Sequence, residues 1–147
     1  VPAVAVKIIN NSANALPSYA TDGSSGMDVR AHLSEPLTLA PLERKLIPTG
    51  LFVEIPQGYE IQVRPRSGLA LKQGLTCLNS PGTIDADYRG EIGVILINLS
   101  GQEQTVQPGD RIAQLVLQEV AHLEWTTAVS LSQTKRNEGG FGHSGIQ

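Results

Sequence analysis

The sequence has no second cysteine to pair with Cys77, no surplus of basic residues, no long apolar run and little helical periodicity. Each shortage removes a class of protein. A lone cysteine forbids an intrachain disulfide, and its setting in the apolar stretch Leu75 to Leu78 reads as a packed core thiol in a reducing compartment. A net charge of -3 disfavours a nucleic-acid or anionic-membrane binder, since either presents a basic surface to phosphates. Any phosphate chemistry therefore rests on a few placed cations. No stretch approaches the roughly 18 apolar residues of a membrane span, and Val1 to Ile9 is interrupted by Lys7 and followed by Asn10, Asn11 and Ser12. The expected location is cytoplasmic, or nuclear or organellar if a targeting segment has been removed ahead of Val1. His32, His122 and His143 are scattered and lack the partners of a transition-metal site.

What is present is the rhythm of a small sheet protein. Short β-rich runs, Val4 to Ile9, Leu37 to Leu39, Arg44 to Ile47, Leu51 to Ile55 and Tyr59 to Val63, are punctuated by Pro41, Pro48, Gly50, Pro56 and Gly58. The pattern resumes with Leu75 to Leu78, Ile92 to Leu99 and Arg111 to Val120. The nearly continuous apolar run Ile92 to Leu99 predicts burial on both faces, at the centre of a sheet or against another copy of the chain. The best helical candidate is Ser67 to Gln73, with Ser67 as cap and Gly74 as stop. An all-β sandwich or barrel with at most one short helix is the expected class, and Trp125 is expected to pack. The composition shifts at residue 132 to Ser, Gln, Thr, Lys, Arg, Asn and then Gly, which divides the chain into a barrel domain, 1–131, and a mobile tail, 132–147.

Four segments and one isolated carboxylate are equipped for chemistry. Arg64-Pro65-Arg66-Ser67-Gly68-Leu69-Ala70 puts two guanidinium groups and a hydroxyl at a strand-to-helix corner, where arginine forks and the unsatisfied N–H groups of a helix N-terminus after Ser67 suit an oligophosphate. The alternative is a capped helix with two surface arginines. Gly82-Thr83-Ile84-Asp85-Ala86-Asp87-Tyr88-Arg89-Gly90 reads as a β-hairpin whose tip carries carboxylates to orient a water and a ring to pack on a nucleoside, or as a turn in which aspartate bonds local backbone. In Pro108 to Leu115, Gln114 is the residue to weigh, because Asp110 and Arg111 also fit a structural turn and salt bridge. Arg136-Asn137-Glu138-Gly139-Gly140-Phe141-Gly142-His143-Ser144-Gly145 is either a disordered end or a lid whose ring stacks on a base; it lacks the Gly-Lys-Ser/Thr ending of a Walker motif. Asp28, in Ser25 to Ala31, is placed at a strand start.

Taken together, Ser25 to Ala31, Arg64 to Ala70, Gly82 to Gly90, Gly109 to Leu115 and Arg136 to Gly145 resemble, in order and spacing, the five motifs of the trimeric dUTPase family. The resemblance implies a jelly-roll-like β-barrel, a homotrimer with shared active sites, and hydrolysis of dUTP to dUMP and pyrophosphate with Mg2+. It implies Asp85 as the base that orients the attacking water and Tyr88 as the platform for deoxyribose. Asn79 and the backbone of Gly82 and Ile84 would read uracil. Arg66, Ser67, Gly68 and Gln114 would cradle the phosphates, Phe141 would stack on the base, Arg136 and Ser144 would close on the terminal phosphate, and Gly142 would join the substrate contacts. Asp28 would be an outer-shell magnesium carboxylate, the ion being held mainly by phosphates and waters. Ser25, Met27 and His143 depart from the residues the family often shows. A dCTP deaminase-like enzyme shares the fold but by family pattern shows Arg-Ser-Ser where this chain has Arg66-Ser67-Gly68.

Overall fold

In the computed structural model, which describes residues 1–146, the chain runs β1 (Lys7–Asn10), β2 (Met27–Arg30), β3 (Leu37–Leu39), β4 (Arg44–Glu54), β5 (Tyr59–Arg64), α1 (Ser67–Gln73), β6 (Leu75–Cys77), β7 (Gly82–Ile84), β8 (Glu91–Asn98), β9 (Gln104–Val106) and β10 (Arg111–Glu119). These form two four-stranded sheets, β1-β4-β8-β6 and β2-β10-β5-β7, and a β3-β9 pair, with every pairing antiparallel. The fold is all-β, of jelly-roll type. Apolar residues recurring at period two give one core shared by the sheets: Ile47, Val53, Val94 and Leu96 from the first, Val29, Ile61, Val63 and Ile112 from the second. Among the described residues, no helix is long and apolar enough to cross a membrane.

Several expectations are corrected. Arg44 to Ile47 and Leu51 to Ile55 are not separate strands: β4 runs through Pro48 to Gly50 as an irregularity, its register on β8 shifting between Pro48↔Gly93 and Phe52↔Glu91. Gly50 there has φ +70°, and a Cβ on it would sit 3.0 Å from the Ser12 nitrogen, so glycine is needed for the bulge and not for a turn. Gly82 to Gly90 is not a hairpin either. β7 pairs with β5, whereas β8 pairs with β4 and β6, so the segment carries the chain from one sheet to the other. β8 is central as expected, but only Ile92, Val94, Leu96 and Asn98 are buried; the alternate residues are half-covered. Ser67 does not cap α1, because Arg66 occupies that position without a side-chain cap bond; Gly74 does end the helix, at φ +66°. Trp125 is not packed: it is 84% exposed, and side chains from 121 through 138 are exposed throughout. Beyond Glu119 the described chain adds no strand or helix.

Candidate functional site

β2, β10 and β5 lie side by side, so a residue at the same level of each presents a row across the sheet. Asp28 pairs with Gln114, and Gln114 with Arg64. Just past the end of β5, Arg66 turns back onto this row: its Nε donates to Asp28 Oδ1 at 3.1 Å and its Nη1 to the Arg111 carbonyl at 3.3 Å. Arg111 Nε stands 3.9 Å from the other oxygen of Asp28. Asp28 thus acts as counter-ion to two guanidinium groups and holds Arg66 at the mouth of the corner. Arg30, two residues along β2, donates through Nη1 to the Gly109 carbonyl at 2.9 Å, tying the turn before β10 to the same place. The second arginine of the motif goes elsewhere: Arg64 is held along β5 by Gln62 Oε1, which accepts from its Nε at 3.1 Å and its Nη2 at 2.9 Å.

Arg111 is the residue sequence reasoning set aside. Its supposed partner Asp110 instead accepts from the Gln107 backbone N–H at 2.8 Å, as a turn aspartate, and Arg111 is left for Asp28. Only the strand pairing brings residues 28 and 111 together, and a linear reading does not contain it. Ser67 and Gly68 begin α1 on the same corner, with the first helical N–H groups carrying no side-chain cap.

The other constellation is ordered differently. Asp85 follows β7, is exposed, and among the described residues makes no side-chain hydrogen bond or ion pair. Its carbonyl accepts the Tyr88 N–H at 3.1 Å, closing a turn, and Tyr88 Oη donates to the Glu91 carbonyl at 2.8 Å. Arg89 braces the turn by donating to the Ala86 carbonyl at 2.6 Å. Asp85, Asp87, Tyr59, Glu60, Arg89 and His122 line a cavity of about 580 Å³. Asn79 lies beside Gly82, its Nδ2 3.1 Å from where a Cβ on that glycine would sit. Ile84 points its side chain into the core, leaving only its backbone for recognition.

The structure does not bring every expected residue together. The arginine corner lines cavities of about 210 and 340 Å³ that do not include Asp85, Tyr88 or Asn79. The tail residues stand apart from both: Phe141 is fully exposed, and Arg136 donates to its own neighbour's carbonyl, Gly139, at 2.5 Å. Gly142 and Gly145, at φ +92° and +78°, take backbone angles that side-chain-bearing residues avoid. Among the described residues no three His, Cys, Asp or Glu gather to cage a metal. The donor set offers a cation one hard carboxylate, Asp28, between the arginines, which fits an ion held chiefly by its own waters and a bound phosphate.

Comparison with known proteins gives a consistent picture. The family model described as dUTPase matches residues 12–145. A deoxyuridine 5'-triphosphate nucleotidohydrolase of Finegoldia magna is 57% identical over 140 residues, covering 95% of this chain and 98% of the relative. One of Desulfotalea psychrophila is 60% identical over 131 residues, covering 89% and 87%. Among solved structures, a Staphylococcus bacteriophage 80alpha dUTPase mutant with dUpNHpp superposes with a TM-score of 0.86 at 26% identity, covering 97% of this chain and 99% of that one.

Proposed function

The chain belongs to the dUTPase family, and from that premise we propose that it hydrolyses dUTP to dUMP and pyrophosphate by in-line attack of water on the α-phosphorus. The water's oxygen bonds to phosphorus as the bond to the bridging oxygen breaks, and the electron pair departs on pyrophosphate. Asp85 orients the water and takes its proton. Arg66, Ser67, Gly68 and Gln114 cradle the phosphates, with Asp28 and Arg111 fixing the guanidinium of Arg66 in advance. Asn79 and the backbone of Gly82 and Ile84 read uracil by hydrogen bonds that cytosine leaves unmade. Tyr88 packs on deoxyribose and leaves no room for a 2′-hydroxyl.

The observation that carries this reading is the split between an unengaged Asp85 on one cavity and a pre-tied arginine corner on others. Groups that must meet at one phosphorus, yet line separate cavities in one chain, suit a site completed between copies. We assign a homotrimer with three shared sites, in which the barrel, 1–131, supplies both halves and the tail, 132–147, of a further subunit closes over them with Arg136, Phe141, Gly142 and Ser144. Mg2+ fits as a partner of the substrate: Asp28 would help to hold it through water, and the bound ion would supply charge neutralisation for the leaving pyrophosphate. The reaction would limit uracil entry into DNA and provide dUMP for dTMP synthesis, in the cytoplasm.

The test is incubation with dUTP, dCTP, dTTP and UTP plus magnesium, assaying pyrophosphate and ammonia separately. Pyrophosphate from dUTP alone is expected, and Asp85→Asn should lower its rate by about 10³-fold while keeping dUTP affinity within a few fold. Ammonia from dCTP would overturn the activity, and undiminished turnover by the variant would remove Asp85 from its role.

A further inference from the structure

Tyr88 lies folded back over Gly90. A Cβ on Gly90 would stand 2.6 Å from the ring's Cζ and 2.9 Å from Cε1, and closer still to the hydroxyl, distances no packed methyl tolerates. The hydroxyl is already committed, donating to the Glu91 carbonyl at 2.8 Å, so the ring offers a ligand its face and edge and not its Oη. That carbonyl is itself anchored. The Glu91 carboxylate accepts the Gly50 N–H at 2.8 Å, inside the β4 bulge, and one residue on, Thr49 Oγ1 donates to the Ile92 carbonyl at 2.6 Å. Glu91 therefore cannot shift without disturbing a buried part of β4, where Thr49 is 1% exposed.

We propose that Gly90 and the Glu91 carbonyl form the seat that sets the pose of the Tyr88 ring, making Gly90 a positioning residue for the preference for a 2′-deoxy sugar. The inference rests on the reading of Tyr88 given above. A methyl at position 90 would lift the ring off its seat and break the bond to Glu91, changing the surface that the ring presents to the sugar. The catalytic carboxylate lies at the other end of the same turn and is not pushed directly.

The experiment measures kcat/KM for dUTP and for UTP in the parent, Gly90→Ala, Tyr88→Phe, Tyr88→Ala and, as a control methyl on the same strand region, Gly93→Ala, whose Cβ would meet only the outer end of the exposed Leu46 side chain. Gly90→Ala should reduce the dUTP-to-UTP ratio about tenfold or more, mostly by raising activity on UTP, and Gly93→Ala should leave the ratio within twofold. Tyr88→Phe, which removes the tether alone, should lower it a few fold. A folded Gly90→Ala protein with an unchanged ratio, while Tyr88→Ala loses its preference, would overturn the seat. If Gly90→Ala does not fold, an unchanged ratio in Tyr88→Phe does the same. A parent with no preference for dUTP, or one whose preference survives Tyr88→Ala, would overturn the reading of Tyr88 and this inference with it.

Discussion

Two short polar stretches containing glycine, Asn98 to Gln102 and Arg136 to Gly145, end in opposite physical states. The first is wound around one buried amide. Asn98 Nδ2 donates to the Leu39 carbonyl at 3.0 Å and the Gln102 carbonyl at 2.7 Å, while its Oδ1 accepts from the Ser100 N–H at 2.9 Å and the Ser100 hydroxyl at 2.7 Å. The second bonds only within itself and to Thr134 just before it, through Arg136 to Gly139, Gly142 to Gly145 and Asn137 to Thr134, and shows an aromatic ring wholly to solvent. Composition alone does not separate them. What does is a polar side chain with 0% exposure in the first and no buried group at all in the second. Burial makes each unmade hydrogen bond costly, so the first stretch has one conformation, whereas water satisfies the second in many.

The sharpest way to break the comparison is to remove the second stretch. Deletion from Arg136 onward should cut dUTP turnover by about 100-fold or more, in line with loss of a closing element and its phosphate contacts, while the urea midpoint stays within experimental error. Full activity in the truncated protein would dismiss the tail as a lid. A lowered midpoint would show that it supports the barrel. The mirror experiment, Asn98→Ala, should cost about 3 kcal/mol of stability, since four hydrogen bonds are lost and a buried cavity is left. At temperatures where that variant is still folded, its turnover should be near that of the parent. Unfolding curves that superimpose on the parent's would mean the stretch is held by something other than its amide.

The same contrast explains what was legible beforehand. Strands such as β3, β5 and β10 are legible because apolar and turn residues agree there, and α1 because Gly74 stops it. β9 has no such signal: Gln104–Val106 has one buried apolar residue, and its strand character comes only from pairing with β3. β7 and β8 look like one hairpin in the sequence because neighbouring strands commonly pair, but their core-facing residues, Ile84 and Ile92, face the shared interior from opposite sheets. At the site, Arg66, Asp28 and Gln114 could each be nominated from a motif. That Arg111 joins them, and that Arg64 does not, depends on which way side chains leave neighbouring strands, and a string of letters leaves that undecided. Trp125 shows the converse: an indole suggests a core, yet it stands 84% exposed among the described residues.

The smallest effect concerns the buried side of the comparison, where water is excluded from a titratable group. Cys77, on β6 opposite Leu96, is buried, and loss of hydration for the thiolate pushes its pKa from 9.0 up to about 11. A folded-state pKa raised above the unfolded value gives a stabilisation that is complete below about pH 9 and lost as pH rises through 11. At pH 10 the loss should be about 1 kcal/mol, because the unfolded thiol is by then largely ionised and the folded one is not. Lysines and tyrosines titrate over the same range, so the quantity to measure is the difference in stability between the parent and Cys77→Ala at pH 7 and at pH 10. That difference should shrink by about 1 kcal/mol at the higher pH, and the thiol of the folded parent should resist a disulfide reagent at pH 8 that labels the unfolded chain within minutes. A difference that stays constant with pH, or a thiol labelled equally fast in both states, would mean that water reaches this part of the core as freely as it reaches the tail.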